Sequence, residues 1–564
     1  MSSTMRSSRF SLSVVAIAFL TSAACGSSAP PSPHAPSETG GSTGSGGKPG
    51  SGGSGMASSG GQSGQGGKGG AGESGSGGAS GGGSGGAAGN AGTGGASIDP
   101  TPDAGEGDGG GSDTGPPPPL PPEMEKPLPA CKKTVDVANN AALGGAISAA
   151  QPGDCLVLAD GSYTFPAISK KGTADAPIVI RAKNRLMAEV PSGNLNYQGS
   201  SYVVVEGIKF TSSGNISFND SDNCRLTRVR FIPTSQAGND WVNFNGTSHH
   251  NRVDRCEFGP KTVLGNTIMF SGPGNTVSPN NRIDHNFFHD IKGGGGNGWE
   301  TLRIGLSSKA QSKAHTIVEF NLFKAATGDP ETISVKSSEN IIRYNTYRAT
   351  TGEITLRHGN GTLVYGNFML ADGNAEARGM RVLGADHRIF NNYLEGIKAS
   401  NGIFLRSGSA DGTDQNGTEF YRVYRTHIVN NTLVDSKGIY VGSTGLAPVD
   451  CVIANNIVVN PSGAAYVNVG QNTKVEGNIF NGGMGGLTEG VKMMDPMLMK
   501  VDGVFRLSSG SPAIDASVGN YAYVVDDMDG QMRTKPDLGA DELVMGGVIT
   551  RRPLTEADVG VNAP

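Results

Sequence analysis

Ile342-Arg-Tyr-Asn345-Thr-Tyr and Leu363-Val-Tyr-Gly-Asn367-Phe-Met carry the pattern that decides the fold: an apolar β-rich run, an Asn, then an apolar or aromatic pair. The same unit stands at Arg282-Ile-Asp-His-Asn286-Phe-Phe, Ile317-Val-Glu-Phe-Asn321-Leu-Phe and Ile389-Phe-Asn-Asn392-Tyr-Leu. It returns at Ile428-Val-Asn-Asn431-Thr-Leu, Ile453-Ala-Asn-Asn456-Ile-Val and Val475-Glu-Gly-Asn478-Ile-Phe. Successive Asn residues are 35, 24, 22, 25, 39, 25 and 22 positions apart. A period of 22–25 matches one coil of a parallel β-solenoid, and the longer gaps are coils with inserted loops. Amides stacked at one corner can hydrogen-bond along the axis, which satisfies groups that are costly to bury unpaired. A β-sandwich would instead show hairpin turns every 8–12 residues with no Asn register. The expected fold is all-β: a single-stranded right-handed parallel β-helix.

Residues 139–150 predict a short helix with Leu143 and Ile147 on one face, leading into a strand at Cys155-Leu-Val-Leu. Such a helix would cap the open end of the solenoid. Asp529-Gly-Gln-Met-Arg to Asp541 reads as a structural closing segment, with the body ending near residue 545.

Outward from the body, the start has a different character. Arg6 and Arg9 precede a short apolar run, Phe10 to Ala24, which predicts an export signal over residues 1–25. It ends in Ser22-Ala23-Ala24-Cys25, small residues before a cysteine, as in a bacterial lipobox. Residues 26–125 are Gly/Ser-rich and then Pro-rich; they hold much of the excess among the chain's 89 glycines. That composition cannot bury enough apolar surface to fold and predicts a tether. The layout predicts a secreted or outer-surface protein, lipid-anchored through Cys25, with a monomeric β-helix body over residues 126–564. Cys131 and Cys155 could form a disulfide in that oxidising space. Cys224, Cys256 and Cys451 read as small buried hydrophobes. The net charge of −5 argues against a nucleic-acid partner.

A β-helix alone says nothing of chemistry. Polar residues crowd three segments: Asn297-Gly-Trp-Glu300-Thr-Leu-Arg303, Asp329-Pro-Glu331-Thr-Ile-Ser-Val-Lys336, and Glu353-Ile-Thr-Leu-Arg357-His358. Lys336 and Arg357 are 21 residues apart, about one coil, which places them on neighbouring rungs about 4.8 Å apart. Asp329 and Glu331, two apart, would share a face. With the Asn297 amide they would make a hard-oxygen site for Ca²⁺. These parts fit β-elimination on a uronate: a cation on the sugar carboxylate, a lysine whose pKa is lowered by nearby positive charge, and an arginine at the departing oxygen. The proton for that oxygen is open between Arg357, His358 and water. Arg303 and Arg381 are candidate groove cations.

These segments, with Gly379-Met-Arg381-Val-Leu-Gly-Ala-Asp-His387, resemble polysaccharide lyase family six, the chondroitinase B and alginate lyase family. The resemblance implies calcium held by Asn297, Asp329 and Glu331, Lys336 as the base and Arg357 as the acid. Asp329 stands where the family usually has Glu. The Arg381 segment looks more like the alginate lyases, so an acidic polysaccharide, alginate before dermatan sulfate, is the expected substrate. A polygalacturonase-like hydrolase would need paired acids flanking the bond. A non-catalytic carbohydrate-binding surface protein would bind without turnover.

Overall fold

The computed structural model describes residues 128–564, apart from Gln236, Gly295 and residues 484–488. The export segment, Cys25 and the tether lie outside the described residues.

Each coil contributes one short strand to each of up to three parallel sheets. Two sheets have fourteen strands; the third, which carries the candidate site, has eleven. Side chains alternate along each strand, so Ile, Val, Leu and Phe from successive coils meet in one axial core. Identical residue types stack in files. Tyr197, Phe218, Phe244 and Phe270 lie ring on ring at 4.5, 4.7 and 4.5 Å. Phe288, Phe323 and Tyr347 continue a second file at 5.0 and 4.8 Å. Such pairs contribute about 0.5–1.5 kcal/mol each beyond burial.

The eight repeat asparagines form one continuous ladder at the corner between the first two sheets, and all are fully buried. The backbone N–H and Nδ2 of Asn345 both donate to Oδ1 of Asn367 (3.1 and 3.0 Å), and Asn367 does the same to Asn392 (3.1 and 3.0 Å). Nδ2 of Asn367 also donates to the Ile342 carbonyl on the preceding rung, at 3.0 Å. Every polar atom of the amide is thereby used. One coil before Asn286 the same place is held by Cys256, whose backbone N–H donates to Oδ1 of Asn286 at 2.9 Å.

The corner needs a left-handed residue just before each ladder Asn. In three coils that residue is itself Asn: Asn391, Asn430 and Asn455, with φ of 52°, 53° and 56°. Asn tolerates this region better than most residues. His285, Phe320 and Tyr344 occupy the same place at φ of 54°, 51° and 56°.

The N-terminal cap follows the sequence expectation. Asn139 caps a helix over Asn140–Ala149, and Leu143 and Ile147 are its buried residues. Cys131 and Cys155 are disulfide-bonded, with Cα atoms 5.6 Å apart. Cys224, Cys256 and Cys451 are free and buried.

The C-terminal segment departs from the expected close near residue 545. After a hairpin, Leu498–Val501 with Val504–Leu507, the chain runs back along the coils to its last residue. The outward-turned corner asparagines hold it. Asn455 donates to the Val518 carbonyl (2.9 Å), Asn430 to Asp537 (2.8 Å) and Asn391 to Asp526 (2.6 Å). Farther back, Gly560 N donates to the His285 carbonyl (2.8 Å), and Arg228 reaches the Ala563 carbonyl (2.6 Å).

The ladder's weight is measurable. Asn367→Ala should lower unfolding free energy by at least about 2–3 kcal/mol, because it strands buried partners on both sides. Asn520→Ala, at an exposed amide outside the left-handed region, should stay within about 0.5 kcal/mol. Equal urea midpoints for the two variants would contradict this account of the ladder.

Candidate active site

Four neighbouring strands of the third sheet build the site: Leu302–Gly305, Glu331–Lys336, Glu353–His358 and Met380–Val382. Ile304, Val335, Leu356 and Val382 point into the core in register, which fixes the intervening residues outward. Arg303, Ser334, Thr355 and Arg381 fall on one register row across these four rungs. Gly305 pairs with Lys336 at φ 89°, and a Cβ there would stand 2.7 Å from the Lys336 carbonyl. Only glycine permits the third sheet to turn its corner so close to Lys336.

Lys336 and Arg357 lie on adjacent rungs, as their spacing predicts, with one adjustment. A bulge after Val335 pairs Lys336 with His358 and leaves Arg357 as the extra residue. Bulges re-aim side chains, and this one turns Arg357 toward Phe420, whose ring centre is 4.5 Å from the guanidinium. Arg357 also lies 3.8 Å from Glu331.

Lys336 is buried, and its Nζ is 3.6 Å from Oε1 of Glu300. Burial lowers its pKa from the ordinary value; Arg303 and Arg357 push the same way, while Glu300 and Glu331 oppose them. The amine is thus easier to obtain neutral than a surface lysine.

Asp329 sits in the bend before its strand rather than on it. Its carboxylate accepts from Glu331 N (3.0 Å) and Trp299 N (3.2 Å). Burial first, then the negative charge of Glu300, raises it to about 6. Glu331 is ion-paired with Arg381, which also holds Glu353 at 3.1 Å. Arg381, expected as a free groove cation, is therefore already bound between carboxylates of the two preceding rungs. Asn297 is exposed on the loop ahead of Trp299, and among the described residues it makes no hydrogen bond to Asp329 or Glu331. Trp299 lies 5.7 Å from the Lys261 ammonium, itself held by the Val263 and Gly265 carbonyls, so the structure gives Trp299 the role of loop anchor.

His358, expected against the substrate, is fully covered. Burial, then the charges of Arg357 and Lys336, brings it down to about 4, so it is a neutral imidazole at neutral pH. It stands behind the site, edge-on to Tyr421 at 6.3 Å.

Two parts of the site escaped the sequence reading. Glu300 is fully buried, and among the described residues neither carboxylate oxygen has a hydrogen-bond partner; Lys336 (3.6 Å) and Arg303 (3.9 Å) are its ion-pair partners there. Alternation could have found it, since Glu300 has the parity of the inward Leu302. The other is the insertion in the 39-residue repeat. Its Gln415 bonds Gly359 and Asn360, and its Phe420 covers Arg357.

Burial raises Asp329 first, and the charges of Glu300 and then Glu331 add to it, while among the described residues the Glu300 oxygens accept no hydrogen bond. Asp329 and Glu331 offer the hard oxygens that Ca²⁺ takes, but with Glu300 they do not draw together to the span of one ion; among the described residues the group of three acids that does so is Asp527, Asp529 and Asp541.

The sequence profile of the chondroitinase B family matches residues 137–480. Among solved structures, the PL6 family alginate lyase AlyGC superposes with a TM-score of 0.62 at 26% identity, over 76% of this chain and 59% of that one. This chain thus spans about 59% of the length of AlyGC. A mannuronic acid specific polysaccharide family 6 lyase from human gut microbiota gives a TM-score of 0.53 at 25% identity, over 64% of this chain and 91% of that one. The PL6 family polysaccharide lyase Pedsa3628 from Pseudopedobacter saltans shares the fold at 22% identity, with a TM-score of 0.55 over 76% and 99% of the two chains. Among curated proteins none matches this chain. A profile match over most of the solenoid, on a parallel β-helix shared with PL6 lyases, makes this chain a member of the chondroitinase B family.

Proposed function

We propose that the protein is a polysaccharide lyase that cleaves a uronate-containing polymer, alginate first, by β-elimination. The observation that carries this reading is the buried Lys336 amine, lowered by burial, beside Arg357 on the adjacent rung. The neutral amine takes the proton α to the sugar carboxylate. The electron pair left behind forms the C4–C5 double bond, and the C4–O bond breaks. Arg357, fixed by Phe420, stabilises the charge that develops on the departing oxygen; a guanidinium is a poor proton donor, so water supplies that proton. His358, neutral and covered, keeps Arg357 in place rather than donating.

Asp329 and Glu331, with Asn297 from the adjoining loop, would hold Ca²⁺. Bound calcium supplies charge neutralisation of the sugar carboxylate and so acidifies the neighbouring proton. Alginate is favoured over dermatan sulfate because AlyGC and the gut enzyme, described as alginate and mannuronate lyases, are 26% and 25% identical. Export, with lipid attachment at Cys25, belongs to the same proposal.

On alginate the full chain should generate ultraviolet absorbance from unsaturated uronate, and EDTA should abolish it. Lys336→Ala should lower kcat by about 10²–10⁴-fold, the span of a lost general base. Products lacking the unsaturated chromophore would favour a hydrolase; dermatan sulfate turnover without alginate turnover would move the substrate assignment.

The pH dependence has a defined sign. Lys336 acts only when neutral, so kcat/KM should climb about tenfold per pH unit below its pKa and level off above it. The midpoint should lie below the ordinary lysine value, because burial, Arg303 and Arg357 outweigh Glu300 and Glu331. A profile without this limb would exclude Lys336 as the base.

A further inference from the structure

Beyond the reacting centre, the same sheet carries a cation that the chemistry above does not use. Leu356, Val382 and Leu405 are register partners on three successive rungs. Arg357 follows the first and Arg406 follows the third, so the two arginines are offset by two rungs, about 10 Å along the axis. Both guanidiniums lie over the Phe420 ring, at 4.5 Å for Arg357 and 4.0 Å for Arg406. Phe420 is tied to the base of its insertion: its carbonyl accepts from Ser409 N (2.7 Å) and Ala410 N (3.1 Å).

The charges around this cluster are unevenly matched. Arg381 pairs with Glu331 and Glu353, and Arg357 has Glu331 at 3.8 Å. Arg406 has no carboxylate within ion-pair distance among the described residues; burial, then Arg381 and Arg357, lower its pKa, and the more distant Glu353 opposes them. Three guanidiniums that share two carboxylates leave one positive charge unmatched, and an incoming anion relieves it. Stacking on Phe420 holds the Arg406 fork in one place, which lowers the ordering cost of binding a planar carboxylate.

We infer that Arg406, held by Phe420, binds the carboxylate of a uronate farther along the polymer than the one that reacts, and so forms a distal subsite on the C-terminal side of the catalytic pair. This rests on the lyase reading given above. Arg406 is a specificity residue, and Phe420 is the residue that positions it. The polymer would then run along the solenoid axis, its distal carboxylate met two rungs from Arg357.

Chain length is the readout that separates this subsite from the reacting centre. Arg406→Gln should raise KM for long alginate oligomers about tenfold, the loss of one charge-assisted contact, while kcat stays within about twofold. On the shortest cleavable oligomers the variant should match wild type. Phe420→Leu should reproduce part of the KM effect and Phe420→Trp should largely restore it, with circular dichroism confirming the fold of each. Calorimetry on the Lys336→Ala background, with and without Arg406→Gln, reads binding without turnover. Wild-type affinity and KM in the Arg406→Gln variants on long oligomers would overturn the subsite, as would an equal loss on short and long ones. A wild-type protein that binds oligomers through Arg406 but cleaves nothing would sink the lyase reading and leave the subsite standing.

Discussion

The hydrogen-bonded file of buried asparagines at one corner is the constraint on which the rest of the structure depends. An amide buried at a chain corner has two donors and an acceptor to satisfy, and water is excluded. Another amide one rung away, in register, meets that demand. The ladder therefore fixes the coil period, and the coil period fixes which outward residues on the third sheet stand beside one another. Arg303, Ser334, Thr355 and Arg381 share a row because Asn321, Asn345, Asn367 and Asn392 share a column.

The same corner explains how the chain closes. In the Asn-Asn pairs, the second residue turns inward to the ladder and the first takes the left-handed conformation with its amide outward. Those outward amides at 391, 430 and 455 hold the returning C-terminal segment. One dipeptide thus serves two separate hydrogen-bond systems. The segment covers part of the solenoid flank and packs apolar residues against it, as Tyr523 and Val524 do beside Phe390 and Val429.

At the candidate site the rigid ladder is combined with two local register shifts, one after Glu331 and one after Val335. The bulge after Val335 frees Arg357 from strict alternation, so that a cation can face the groove next to Lys336 while His358 is folded behind it. Burial lowers the lysine, surrounding carboxylates hold the cations in position, and the insertion carrying Phe420 stiffens two guanidiniums. Each part is an ordinary electrostatic effect; their placement on neighbouring rungs at a fixed rise brings them together on one face of the third sheet.

The sequence by itself determined the solenoid, its coil length, the inward asparagines, the capping helix and the segments that carry polar residues, because these are periodic and a period is visible in one dimension. Lys336, Asp329, Glu331 and Arg357 were legible as a group because their spacing is a coil or a strand step. Only the tertiary structure decided that Arg381 is paired with Glu331 and Glu353, that His358 is covered, that Glu300 is buried among the cations, and that Phe420 reaches Arg357 and Arg406. Those facts depend on side-chain directions at a bulge and on loops of irregular length, and neither obeys the repeat. The returning C-terminal segment was illegible for the same reason: its contacts join residues hundreds of positions apart, with no period to announce them.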